Sequence, residues 1–206
     1  MLNLHGKTII ALAPHIDDVE LGAGATIHQL GQSNEVYYVG LSLPPLINRE
    51  TFMEEFHASS KILGIDPARI ILRDYDPRNL FDVRGDILQL FYDLSQQLRP
   101  ALVLAPNGKD IHQSHEVVFA EARRAFKYTT ILGYELPWNS MDFSMDVFIT
   151  AGKENVQAKV AAINAYKTQK NRIFFSNDIV EDLAKVRGKQ VGQEYAECFE
   201  LIRMII

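Results

Sequence analysis

Two clusters in this 206-residue chain combine residue types and spacing suited to metal and acid–base chemistry. The first is Pro14-His15-Ile16-Asp17-Asp18-Val19-Glu20-Leu21-Gly22, which follows the apolar run Lys7-Thr8-Ile9-Ile10-Ala11-Leu12-Ala13. The second is Asp110-Ile111-His112-Gln113-Ser114-His115, a few residues after Ala101-Leu102-Val103-Leu104-Ala105. Both apolar runs read as buried strands, and such strands carry few charges, so polar clusters at their ends need a reason. Imidazole nitrogen and carboxylate oxygen are suitable zinc ligands. Adjacent aspartates repel unless a cation or hydrogen-bond donors offset them. Taken alone, the first cluster fits either a metal site or an Asp-rich turn capping the next helix.

Together the clusters supply a complete set. His15, Asp18 and His115 make two histidines and one carboxylate with a position left for water, the usual arrangement of a catalytic zinc site. Zinc lowers the pKa of such water towards about 7. Asp17 is left over as a general base. His112 could protonate a leaving amine or stabilise an oxyanion, and Asp110 could fix the tautomer of one of these imidazoles. Singly, His112 also reads as a solvated loop residue and Asp110 as a turn former. Fe2+ or another divalent ion suits the same ligands. His5, His28 and His57 read as ordinary surface or core residues.

The elements that must position these residues follow from periodicity. Strands are expected over 7–13, 35–43, 69–72, 101–105 and 130–136, with a further one over 146–149. Helices are expected over 20–32, 49–63, 82–98, 117–126, 156–168 and 177–186. Pro44-Pro45 ends the second strand, Gly64 follows the second helix and Pro100 the third. Residues 195–206 fit a helix or a strand. Strands alternating with helices imply right-handed crossovers and a Rossmann-like, doubly wound, mostly parallel sheet with helices on both faces, one α/β domain over 1–206. Ligands bind beyond the carboxyl ends of such strands, where the two clusters would share a crevice. Gly22-x-Gly24 lacks the third glycine of a dinucleotide fingerprint.

Composition narrows the classes. Hydrophobic residues are 47% and charged residues 23%, ordinary for a globular protein. A net charge of −5 argues against a general nucleic-acid binder. The single cysteine, Cys198, gives no disulfide framework, and no apolar run reaches the length of a membrane span, so a cytoplasmic protein is expected.

With these residues in place, the chain resembles the PIG-L/LmbE-like family of zinc-dependent de-N-acetylases. The first cluster is similar to the family's opening motif, where His-Pro-Asp-Asp is usual, and the second to Asp-x-His-x-Asp-His. Glu55 with Leu63-Gly64, Tyr134-Glu135-Leu136-Pro137-Trp138, Lys159 with Tyr166 and Gln169, and Tyr195-Ala196-Glu197 before Phe199 resemble further family segments in the same order. The resemblance implies His15, Asp18 and His115 as zinc ligands, Asp17 as general base and His112 as oxyanion or acid residue. Arg49, Asn107, Tyr134 and Glu135 are the expected substrate contacts, although Arg49 lies about one helical turn earlier than the family's arginine. It implies removal of an acetyl group from a small-molecule N-acetylated sugar or glycoconjugate, and a homo-oligomer, trimer or hexamer. A non-sugar amide, a nucleotide-linked sugar, or a catalytically weakened sugar-binding protein are the alternatives. Two departures stand out: Ile16 where proline is usual, and Ser114 where aspartate is usual.

Overall fold

The computed structural model describes residues 4–44, 48–175 and 177–205. Pro45 and Ile206, each part of an expectation above, lie outside these residues. The chain order is β1 (Thr8–His15), α1 (Asp18–Gly31), β2 (Glu35–Ser42), α2 (Arg49–Ile62), β3 (Ile70–Tyr75), α3 (Arg84–Leu98) and β4 (Leu102–Pro106). There follow α4 (Gln113–Ala125), β5 (Thr130–Tyr134), β6 (Val147–Ala151), α5 (Lys153–Ala165), α6 (Asn177–Gln190) and β7 (Tyr195–Arg203). Short 3-10 turns occupy Lys167–Gln169 and Ile173–Phe175. No helix among the described residues is long and apolar enough to cross a membrane.

The strands form one sheet in the order β3-β2-β1-β4-β5-β7-β6. β1 to β5 run parallel, and β7 lies antiparallel between β5 and β6. The doubly wound expectation therefore holds, with β7 settling the ambiguous tail as strand. Winding reverses between β1 and β4, the switch point at which open sheets of this kind place their ligands. The two strands pair only from Ile9 with Leu102 to Ala11 with Leu104. β1 nevertheless continues against β2 as far as His15 opposite Ser42. A crevice opens where its second neighbour leaves off.

Alternation along β1 divides the core. Ile9, Ala11 and Ala13 join Val19 and Ile27 of α1, Phe52 and Phe56 of α2, and Ile163 of α5 on one face. Ile10 and Leu12 join Ile87 and Phe91 of α3 with Val118 and Ala122 of α4 on the other. α4 begins at Gln113, four residues earlier than periodicity indicates, because His112 caps it by accepting the Ser114 N–H at Nδ1. Capping by a side chain is invisible to an apolar pattern.

α1 carries the first cluster and is held tightly. It breaks at Ala23 (φ −144°), freeing backbone donors that Glu197 of β7 accepts from Ala25 (3.1 Å) and Thr26 (2.7 Å). Lys159 of α5 neutralises Glu197 at 2.5 Å. Just before the break, Gly22 lies against Tyr134, whose hydroxyl donates to the Leu12 carbonyl at 3.0 Å. A Cβ on Gly22 would overlap that ring. The tethered ring has no room to yield, so Gly22→Ala is expected to destabilise the fold by about 1–3 kcal/mol. A fall in urea midpoint at unchanged m-value checks this.

Candidate active site

His15 ends β1, and the turn into α1 places Asp17 and Asp18 beside it. The capping account of this turn does not hold, since Asp17 sits at the N-cap but makes no side-chain capping bond. Asp18 Oδ2 instead accepts the His15 N–H at 2.8 Å and lies 3.1 Å from His15 Nδ1. The second cluster arrives from the β4–α4 connection, where His115 is almost completely buried. Its Nε2 lies 3.1 Å from the same Asp18 oxygen and 3.2 Å from His15 Nδ1. Two histidines 100 positions apart thus meet at the crevice between β1 and β4.

Asp110 holds His115 from behind, with Oδ2 2.7 Å from His115 Nδ1 and Oδ1 accepting the His112 N–H at 2.9 Å. That contact leaves Nε2 of His115 facing Asp18 and His15. The expected tautomer-fixing geometry is therefore present between Asp110 and His115. His112 stands edge-on to His15, ring centroids 4.7 Å apart. Because Ser114 N–H occupies its Nδ1 at 3.3 Å, the neutral His112 ring carries its proton on Nε2. Burial, then the charges of His115 and His15, push His112 down to about 4.

Charge in the cluster is unevenly distributed. Burial opposes ionisation of Asp18, yet His115 and then His15 hold its carboxyl well below the usual range. Burial likewise opposes protonation of His115, but Asp18 and Asp110 lift it to about 10. The group therefore demands positive charge among these three side chains, and a proton on His115 supplies it. Asp17 behaves oppositely. Burial, then Asp18, raise its carboxyl well above the ordinary value, against the lowering by Arg172. Asp17 is 2% exposed, its Oδ2 has no hydrogen-bond partner, and its φ of 151° is a strained backbone conformation for a residue with a Cβ.

The donor set fits a metal ion. The triangle of His15 Nδ1, Asp18 Oδ2 and His115 Nε2 has edges of 3.1, 3.1 and 3.2 Å. Tetrahedral zinc with bonds of about 2.05 Å requires ligand edges of about 3.3 Å. His112 also brings a ring nitrogen within 4.8 Å of the other two histidines, so a three-histidine set is available. The set containing Asp18 has the edges just given, and its carboxylate would balance part of the ion's charge.

These residues floor a cavity of about 350 Å³. Its walls include Pro44, Pro77, Arg78, Gln113, Trp138, Asn139, Arg172 and Phe174. None of these was expected to face a ligand, although Gln113 and Trp138 lay inside quoted motifs; apart from Gln113 at the start of α4 they come from connections, where no periodicity marks them. Trp138 and Phe174 stack at 4.6 Å with planes 14° apart. Arg172 Nη1 reaches 3.7 Å from Asp17 Oδ2.

Most of the expected substrate contacts lie elsewhere. Asn107 Nδ2 donates to the Tyr134 carbonyl and to Ser140 Oγ, and its Oδ1 accepts from the Lys109 N–H. Tyr134 is fully buried on Gly22, and Glu135 is paired with Arg187. Their polar atoms are spent on holding strand ends and helices together. Arg49 pairs with Asp74 at 2.5 Å in a neighbouring depression that shares Pro44 and Pro77 with the cavity.

Both departures from the family pattern have structural partners. Ile16 N–H donates to the Ser42 carbonyl at 3.0 Å, a bond that proline lacks the hydrogen to make. Ser114 Oγ donates to the Pro77 carbonyl at 2.6 Å, which a carboxylate could not do.

No protein-family model matches the chain. A protein of Escherichia coli K12 described as an uncharacterized deacetylase, YaiS, is 29% identical over 175 residues, 79% of this chain and 91% of its own. A conserved protein of Thermus thermophilus superposes with a TM-score of 0.82 at 23% identity, over 97% of this chain and 96% of the other. GalB, the 4-carboxy-2-hydroxymuconate hydratase of Pseudomonas putida, gives 0.78 at 18% identity, over 97% and 98%. The N,N'-diacetylchitobiose deacetylase of Pyrococcus horikoshii gives 0.70 at 19%, over 95% and 84%. The chain therefore has the same α/β fold as these solved structures, the hydratase and the chitobiose deacetylase among them.

Proposed function

We propose that this chain is a metal-dependent hydrolase that removes the acetyl group from the amide nitrogen of an N-acetylglucosamine-type sugar, releasing acetate and a free amine. The observation that carries this reading is a three-atom ligand triangle beside a buried carboxyl oxygen with no hydrogen-bond partner, Asp17 Oδ2. The similarity to YaiS and the shared architecture with the chitobiose deacetylase support it. The hydratase on the same fold makes the donor set, not the fold, the basis of the reading.

His15, Asp18 and His115 would hold the ion, with zinc the expected species. When bound, the ion would supply Lewis acidity towards the amide carbonyl and acidify a water molecule. Asp17 takes a proton from the attacking water, and its Oδ2, without a hydrogen-bond partner and raised in basicity by burial and by Asp18, is the acceptor. The water oxygen bonds to the carbonyl carbon as the C=O electron pair moves onto oxygen. His112, neutral, lining the cavity and with Nδ1 occupied by the Ser114 N–H, donates from Nε2 to that oxyanion. Asp17 then returns its proton to the amide nitrogen, the C–N bond breaks, and acetate and amine leave. Asp110, by holding Nδ1, orients His115 so that Nε2 faces Asp18 and His15, where a bound ion would take the place of the proton.

Asp17→Asn is expected to keep its divalent ion, measured by elemental mass spectrometry, while acetate release falls about 100- to 10,000-fold. A variant of full metal content and unimpaired turnover would sink the mechanism. Asp110→Ala should weaken affinity for the ion about 10- to 100-fold, read by competition with a chelator. Chelation of the native enzyme should abolish acetate release from N-acetylglucosamine derivatives, and added zinc should restore it.

A further inference from the structure

Resting on the deacetylase reading, the structure assigns the cavity a substrate of monosaccharide size that carries an anionic group, a carboxylate or a phosphate, seated by Arg78 and Arg172. The chain as a whole is acidic, with a net charge of −5, yet two guanidinium groups line the walls of this one cavity. Neither is consumed by a close partner. Among the described residues, no carboxylate lies within ion-pair distance of Arg78. The nearest acid in sequence, Asp76, spends its oxygens on the Arg78 N–H and the Asn79 amide, both within the loop. That loop is fixed to α4 by the bond from Ser114 Oγ to the Pro77 carbonyl, so Arg78 is carried on a tethered segment. Arg172 has one ionic contact, to Asp17, and at 3.7 Å it is longer than a charge-assisted hydrogen bond.

An arginine without a carboxylate partner at the wall of a ligand cavity is a ready fork for an oxyanion, which it can meet through two parallel N–H bonds. The Trp138–Phe174 stack, with Arg172 5.8 Å from the Phe174 ring, provides the apolar face on which the C–H side of a pyranose can rest. At about 350 Å³ the cavity is near the small end of ligand sites, which run from about 300 to 1,000 Å³, and so suits one ring with one appended group. A glycopeptide or long oligosaccharide would leave most of its surface outside.

The test compares acetate release from N-acetylglucosamine, N-acetylglucosamine 6-phosphate and N-acetylmuramic acid by the metal-loaded enzyme. Calorimetric binding of the three deacetylated products, which cannot turn over, is measured in parallel. At least one anionic compound should exceed its neutral counterpart by about tenfold or more in kcat/KM and in product affinity, a preference that shrinks with added salt. Which arm responds identifies phosphate or carboxylate. Arg78→Ala should reduce the preference by about tenfold, and Arg78→Lys should restore only part of it. Equal handling of charged and neutral compounds overturns the anion site while leaving deacetylation intact. A preference that survives when Arg78→Ala and Arg172→Ala are combined also overturns it, since neither arginine would then be holding the anion. Arg78-dependent binding of the charged products without acetate release from any substrate supports the anion site and rejects the deacetylase reading.

Discussion

Three carboxyl groups within four residues, Asp17, Asp18 and Glu20, are withdrawn from water at the junction of β1 and α1. Burying a carboxylate is costly unless it is paired or hydrogen-bonded, so the surrounding structure is organised by the need to compensate them. Asp18 is offset by two imidazoles and the His15 N–H. Glu20 accepts from the hydroxyls of Tyr38 at 3.0 Å and Tyr166 at 2.6 Å, and burial still raises its pKa. Asp17 alone is left under-compensated, with one distant arginine and a strained backbone. Strain and an unmet polar atom at the same residue are characteristic of sites where stability is given up for reactivity.

Compensation extends outward by layers. Tyr38 and Tyr166 come from β2 and from the residue following α5, so Glu20 ties the helix to elements on both sides. Glu197 and Lys159 repeat the device further along α1, where its backbone breaks. Glu55 does so again between α2 and the 3-10 turn, accepting from the N–H and the hydroxyl of Thr168. Several of these residues lie in segments that only resemble a family pattern. Their contacts make them scaffolding for the N-terminal helix.

The sequence made legible what depends on chain-local regularity. Apolar runs marked β1 and β4, and the polar clusters behind them marked the ends that meet at the switch point. The identity of β7 was hidden because Tyr195 to Phe199 are all buried, which erases the alternation that distinguishes a half-exposed strand. Asn107, Tyr134 and Glu135 looked like ligand-facing polar residues at strand ends, but whether a side chain turns to the cavity or to its own scaffold depends on packing. Arg78, Arg172 and Phe174 sit in irregular segments, and their convergence arises only when connections from different parts of the chain fold over one crevice. Ile16 and Ser114 stood out as departures from a motif, and each supplies a donor that the usual residue could not.

The placement of β7 has a consequence for how the molecule is made. β6 pairs only with β7, and β5 is left with an open edge until β7 docks antiparallel beside it. The same strand brings Glu197 to the broken middle of α1, 171 and 172 residues earlier in the chain. During synthesis the N-terminal half can therefore assemble β1, β2, β3 and their helices, but α1 stays unclamped until residue 197 has emerged. Contacts of such long sequence separation form late and slow folding. The helix carrying Asp17 and Asp18 is among the first elements translated and among the last to be locked. A nascent chain thus cannot display a finished crevice before its final strand closes the sheet.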